Sequence, residues 1–91
     1  MRLVVSEAAR ADLRAVYAYY EKRNPAIADR VAGTILKAAS SLLTFPLIGR
    51  VGDVAGTRER PVLRYPYRIV YAPEDETVVV VRVVRGAQDW P

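Results

Sequence analysis

Between residues 7 and 22 the apolar side chains recur at helical spacing. Ala9, Leu13, Val16, Tyr17 and Tyr20 form one stripe, while Arg10, Arg14 and Glu21 lie off it. The pattern predicts a helix from Glu7 to about Lys22. Ser6 supplies its N-cap, because a serine hydroxyl accepts a bond from an unpaired first-turn amide. Glu7 stands where the helix dipole favours an acid, and Lys22 and Arg23 stand where it favours cations. Asn24-Pro25 then punctuates the chain: Asn24 caps a second helix, and Pro25 fits its first turn, where an N–H has no partner to lose. This helix is expected from Pro25 to about Leu43. Its main stripe is Ile27, Val31, Ile35, Ala38 and Leu42, widened by Ala28, Ala32, Leu36, Ala39 and Leu43. Two such helices joined by a tight turn form an antiparallel hairpin.

From Thr57 the period changes. Thr57 to Arg64, Tyr67 to Ala72 and Thr77 to Arg85 are rich in β-branched and aromatic residues and read as strands. Tyr65-Pro66 and Pro73-Glu74-Asp75-Glu76 supply the turns between them. Pro61 has no N–H for a ladder, so it belongs at an unpaired edge position or a bulge. Thr44 to Gly56, with Pro46, Gly49, Gly52 and Gly56, reads as a loop. Arg2 to Val5 is a further short strand, with Leu3 and Val5 on one face. Residues 87–91 read as irregular. The expected fold is α+β, in the order βααβββ: an antiparallel sheet with an N-terminal helical hairpin packed on one face, and with the first strand joining the same sheet. At 91 residues the chain makes one domain, spanning 1–91.

Composition narrows the chemistry. The chain has no cysteine, which removes disulfides and thiolate metal sites, and no histidine, which removes the commonest metal ligand and the usual neutral-pH base. No metal and no cofactor are expected, and Ser-His-Asp or Cys-His catalysis is excluded. The longest apolar run, Val78 to Val81, is too short to span a bilayer, and Glu7 and Asp12 come too early for a signal peptide, so a soluble cytoplasmic protein without membrane contact is expected. The net charge is +4, and all of the 14 basic residues but Lys22 and Lys37 are arginine. Arginine forms bidentate contacts with carboxylate and phosphate, so the balance points to an acidic protein or a nucleic acid as partner, or simply to a solvated basic surface. Neither a recognition-helix pattern nor a glycine-rich phosphate loop supports direct reading of DNA.

Five landmarks occur in order along nearly the whole chain. They are Tyr20-Glu21 followed by Asn24-Pro25, Phe45-Pro46-Leu47-Ile48-Gly49-Arg50, Thr57-Arg58-Glu59, Tyr67-Arg68-Ile69-Val70-Tyr71, and Arg82-Val83-Val84-Arg85-Gly86-Ala87-Gln88-Asp89-Trp90-Pro91. Together they resemble the ParE branch of the RelE/ParE superfamily of type II toxin–antitoxin toxins. The resemblance implies a βααβββ fold, a cognate acidic antitoxin in a hetero-oligomer, and growth arrest through inhibition of DNA gyrase by binding. The RelE branch implies instead a ribosome-dependent messenger-RNA endonuclease. A third possibility is an inactive, antitoxin-binding member. Many relatives carry histidine at the position of Arg85, so a role that needs an imidazole base is lost here, whereas one that needs a donor or a positive charge survives.

The residues selected for target binding are Arg58, Glu59, Arg68, Arg82, Arg85 and Trp90, in the sheet and tail; none is assigned a catalytic role. Cleavage of RNA through its 2′-hydroxyl needs a base, cations for the phosphorane and an acid for the leaving oxygen. Arginines are plentiful in the sheet half, but Glu59 and tyrosines are the only candidates for base, and Trp90 can stack but cannot exchange a proton. Each residue also has a purely structural reading. Glu59 can pair with an arginine on a neighbouring strand. Arg68 and Arg82 can cover the sheet with their stems. Tyr17 and Tyr20 can belong to the core.

Overall fold

The computed structural model describes residues 1–86; the irregular segment expected at 87–91, with Trp90, lies outside the described residues. Seven elements follow one another: β1 (Arg2–Val5), α1 (Glu7–Glu21), α2 (Pro25–Ser41), β2 (Arg50–Val51), β3 (Arg58–Pro61), β4 (Tyr67–Pro73) and β5 (Thr77–Arg85). The five strands form one sheet in the order β1-β5-β4-β3-β2. The hairpin-linked strands β3, β4 and β5 are antiparallel, as expected, and β1 joins the sheet alongside β5 in parallel orientation. Residues 44–56, expected as loop throughout, contain the two-residue strand β2, antiparallel to β3 through Arg50 and Val51. Its brevity hides it from any periodicity, since two residues show no alternation.

The caps act as their residue types dictate. Ser6 Oγ accepts the Ala9 amide at 3.0 Å and donates to the Val81 carbonyl at 2.7 Å, while the Ser6 amide bonds to Val80 O. One serine thus starts α1 and ties it to β5. Asn24 Oδ1 accepts the Ala26 amide, and Pro25 opens α2. Both helices close one or two residues before the expected ends, in tight last turns around Lys22 and Leu42.

The core lies between the helical hairpin and one face of the sheet. Ala9, Val16, Val31, Ile35, Ala39 and Leu42 meet Val62, Tyr67, Ile69, Tyr71, Val78, Val80 and Val83. Burying side chains of this size drives the collapse of a chain this short. Ile27 belongs to the expected stripe but is 37% exposed, and its neighbour Ala28 is buried instead. The small alanine lets the two helices approach closely near their turn. Tyr20 packs on the core, whereas Tyr17 turns outward and donates to Asp29 Oδ1 at 2.7 Å.

Two sheet irregularities position the charged residues. Pro61 opposes Arg68 in the ladder, and the flanking Val62 amide bonds to Tyr67 O. By the alternation of antiparallel bonds, the ring nitrogen of Pro61 therefore faces away from β4, where β2 has already ended. In β5 the register slips: Tyr71 opposes Val80, but Val70 opposes Arg82, leaving Val81 as an extra residue. Without that bulge the alternation from Val78 and Val80 would drive Arg82 into the core; with it, Val83 takes the buried position and Arg82 is exposed. Among the described residues no helix is long and apolar enough to cross a membrane.

Candidate functional site

The sequence-selected residues do not form one cluster. Arg58 opposes the buried Tyr71 on the helix-facing side of β3. Its Nη1 donates to Gly49 O at 2.8 Å and to Leu47 O at 3.2 Å. The Tyr71 hydroxyl accepts the Gly49 amide at 2.9 Å. A Cβ on Gly49 would stand 2.7 Å from Glu59 O and 2.8 Å from the Tyr71 hydroxyl, so only glycine fits. The Pro-x-x-Gly-Arg landmark is thus a packing feature: Gly49 allows the loop to close over Tyr71, and Arg58 clips it there.

Glu59 and Arg68 come together on the opposite, open face. Arg68 Nε lies 3.0 Å from Glu59 Oε1, and the two side chains are 25% and 14% exposed, respectively. The contact is a charge pairing without an aligned hydrogen bond, because the buried Nε–H does not point along the line to the carboxylate. Arg68 Nη1 also donates to Gly86 O at 3.1 Å, and the Gly86 amide bonds to Pro66 O. Arg68 thereby links β3 to the point where the chain leaves the sheet. Gly86 has φ +121°, in the region open to glycine, which lets the chain turn there.

Arg82 is engaged by helix α1. Its Nε and Nη2 donate to Asp12 Oδ2 and Oδ1 at 2.7 and 2.9 Å, and the Val83 amide donates to Oδ2 at 2.9 Å. β1 ends opposite Val80, so this stretch of β5 has no strand beyond it, and Asp12 occupies the vacant edge. Arg82 holds the Asp12 carboxyl below its ordinary value; desolvation opposes that shift and the Val83 amide supports it.

Arg85 opposes Tyr67 at the end of the sheet and is exposed. Its guanidinium carbon lies 6.0 Å from the Tyr67 ring centroid, at the outer limit of a cation–π contact. Tyr67 borders an aromatic cluster in which Tyr20 and Tyr65 meet edge to face with centroids 6.4 Å apart. Burial first, then the Tyr20 hydroxyl, pushes the Tyr67 phenol up, so it stays protonated at neutral pH. Arg68 and Arg85 thus reach the same end of the sheet from opposite faces, beside Gly86. Trp90, the sixth selected residue, lies outside the described residues.

Sequence reasoning missed Asp12. Its signal was visible: the position three after Ala9 falls beside the apolar stripe, where an acid requires a partner. It also missed the apolar surface of residues 45–54, where Phe45, Leu47, Ile48, Val51 and Val54 are all exposed. A second apolar surface is a groove of about 400 Å3 between α1 and α2, floored by Leu13, Tyr17, Ala32 and Leu36. Among the described residues no three of Asp and Glu gather as a metal site would require.

Residues 3–90 match the family described as the ParE toxin of the type II toxin–antitoxin system parDE. The chain is 36% identical over 74 residues to the Sinorhizobium fredii protein named "Putative toxin Y4kP", covering 81% of this chain and 76% of that one. Among solved structures, a chain of the chromosomal ParDE system from P. aeruginosa superposes with a TM-score of 0.85 at 25% identity, covering 94% and 96% of the two chains. A chain of the RelBE2 toxin–antitoxin complex from Mycobacterium tuberculosis superposes less closely, with a TM-score of 0.64 at 28% identity over 92% and 95%. The fold, the ordered landmarks and this match over nearly all residues agree: the chain belongs to the ParE family of type II toxin–antitoxin toxins.

Proposed function

We propose that this toxin arrests growth in the cytoplasm by binding DNA gyrase, and that an acidic antitoxin silences it in a hetero-oligomer. Membership of the ParE family carries the reading. The antitoxin is supported by the solved relatives, which come from toxin–antitoxin systems, and by the chain's net charge of +4. Arginine–carboxylate pairs would give rapid association and fixed register.

Binding rather than RNA cleavage is favoured by the use of the sheet's charged groups. Glu59, the candidate base, is paired with Arg68; Arg82 is paired with Asp12; Arg58 is engaged with loop carbonyls. A nuclease needs such groups facing substrate, with a base whose proton affinity suits the task. Arg85 lies beside the Tyr67 phenol and has no carboxylate partner among the described residues; it is the residue we assign to target contact.

The test is a plasmid supercoiling assay with the purified toxin, DNA gyrase and ATP, scoring linear DNA after denaturant. The expected result is loss of supercoiling with accumulation of linear plasmid. Unchanged supercoiling by a folded protein that arrests growth would overturn gyrase as target, and cleavage of ribosome-bound messenger RNA would then be the assay to run.

A further inference from the structure

Between α2 and the end of β3 lies a cleft of about 260 Å3, lined by Thr34, Lys37 and Ala38 of the helix and by Arg60, Pro61 and Leu63 beyond it. Its charge is unbalanced. The side chains of Lys37 and Arg60 have no hydrogen bond or ion pair to any described residue, and no carboxylate lines the cleft. The hydroxyls of Thr34 and of Ser41, which also lines the cleft, are already donated to Arg30 O and Ala38 O, so the donors on offer are the two cations. The rest is apolar, and its outer wall is Leu63, 76% exposed. Leu63 stands next to an unusual turn, in which Arg64 has φ +78°, a region that side-chain-bearing residues rarely adopt. Strained backbone, an exposed leucine and two cations without a partner among the described residues, all around one cleft, are the marks of a surface shaped for a partner.

We propose that this cleft is the docking site for an acidic segment of the antitoxin, which places carboxylate on Lys37 and Arg60 and an apolar side chain against Ala38, Pro61 and Leu63. The proposal rests on the reading that an antitoxin binds this toxin. Charge selects this occupant. The groove between the helices has Arg14 and Glu21 on its rim, of opposite sign, and so does not prefer an acid. A nucleic acid fits the cleft poorly, since no aromatic side chain lines it for stacking and two cations do not make a phosphate track. Strand addition is disfavoured as well, because Pro61 offers no N–H and β2 already covers Arg58 and Glu59. Side-chain docking remains as the mode of recognition.

The experiment co-expresses the toxin with the protein encoded beside its gene, purifies the complex and measures affinity by calorimetry. Lys37→Glu and Arg60→Glu are each expected to weaken binding about tenfold or more, and Leu63→Ser comparably, as truncation or reversal at an interface anchor does. Lys22→Glu, at the far end of α1, makes the same charge change and is expected to leave affinity unaltered. The side chains of Lys37 and Arg60 bond to no described residue, so melting curves of their variants should match the wild type. Wild-type affinity in the cleft variants overturns the proposal, and so does equal weakening by Lys22→Glu. If the variants keep the protein partner but lose retention of a random-sequence DNA duplex, the cleft is a phosphate site and the proposal fails. Absence of any complex with wild-type toxin overturns the antitoxin reading and this site with it.

Discussion

Asp12 grips Arg82 by two hydrogen bonds, at 2.7 and 2.9 Å, and accepts the Val83 amide with the same carboxylate. A helix side chain thereby completes the hydrogen bonding of β5 where β1 has run out. Asp12→Ala leaves the Val83 amide unsatisfied at a half-covered edge, and the expected cost is about 1–3 kcal/mol. The pH dependence has a definite sign. Arg82 lowers the Asp12 pKa below the ordinary 3.8, so the unfolded chain binds the proton more readily than the native one. The stabilisation is complete above the unfolded value and is lost as pH falls through 3.8 towards the lower folded value. Urea unfolding between pH 2.5 and pH 7, chosen to bracket that range at about these limits, should show a shallower acid slope for Asp12→Asn than for wild type. Equal slopes would mean that the pair does not titrate with folding.

Gly49 and the Tyr71 hydroxyl make a second dependent pair. A methyl group on Gly49 would overlap Glu59 O and the Tyr71 hydroxyl, so Gly49→Ala should destabilise by about 1–3 kcal/mol, the ordinary cost of overpacking. Tyr71→Phe keeps the ring and removes the acceptor of the Gly49 amide, with an expected cost of about 1–2 kcal/mol. Because both act at one contact, the double variant should be less destabilised than the sum. Additive costs in a double-mutant cycle would show that the loop is held independently of Tyr71.

These pairs mark where sequence reading stops. The helices, their caps and the three hairpin-linked strands are legible because each spans enough residues for a period to show: Val31 and Ile35 return one turn apart, and Tyr67, Ile69 and Tyr71 alternate. Ser6, Asn24 and Pro25 are legible because their chemistry is local. β2 is too short for a pattern, and Ile27 is displaced from the stripe by a neighbouring alanine where helices approach. The β5 bulge is invisible in a run of valines, where any register looks equally apolar. For the candidate site the residue types were readable, but the partners were not. Arg82 and Asp12 are 70 positions apart, and nothing local foretells their meeting. The cross-strand pairing of Glu59 was anticipated as its structural reading, since opposite charges on adjacent strands attract whenever register permits.

That pairing supplies a further test. Arg68→Met leaves the Glu59 carboxylate, 14% exposed, without its counter-charge, and should cost about 2–3 kcal/mol. Adding Glu59→Met removes the orphaned charge and should recover most of the loss, as replacement of both members of a half-buried pair commonly does. The bond from Arg68 to Gly86 O stays broken in both variants. Recovered stability without recovered growth arrest would separate the two duties of Arg68: neutralising Glu59 and fixing the start of the C-terminal segment. Failure of the second substitution to restore stability would mean that the Gly86 contact, not the ion pair, dominates.

Arg85 offers the cleanest separation of function from folding. Its side chain is exposed at the end of β5 beside Tyr67, whose ring centroid is 6.0 Å away and whose phenol it weakly favours in the ionised form, contacts that an exposed arginine makes at little net gain. Arg85→Ala should therefore change stability by no more than about 0.5 kcal/mol, as for a surface position without special contacts. If the guanidinium meets gyrase, the same change should abolish growth arrest on induced expression and raise the toxin concentration needed to block supercoiling about tenfold or more, the cost of losing an interface arginine. Arg85→Lys keeps charge without the planar fork and should fall between the two, because bidentate geometry is lost while attraction remains. Arg85→His, neutral for the most part at neutral pH, should resemble the alanine variant if charge is what the target reads. Full activity in Arg85→Ala, with the protein folded, would move target contact off this end of the sheet. Full activity in Arg85→His alone would show that a ring donor serves the target contact as well as a cation does.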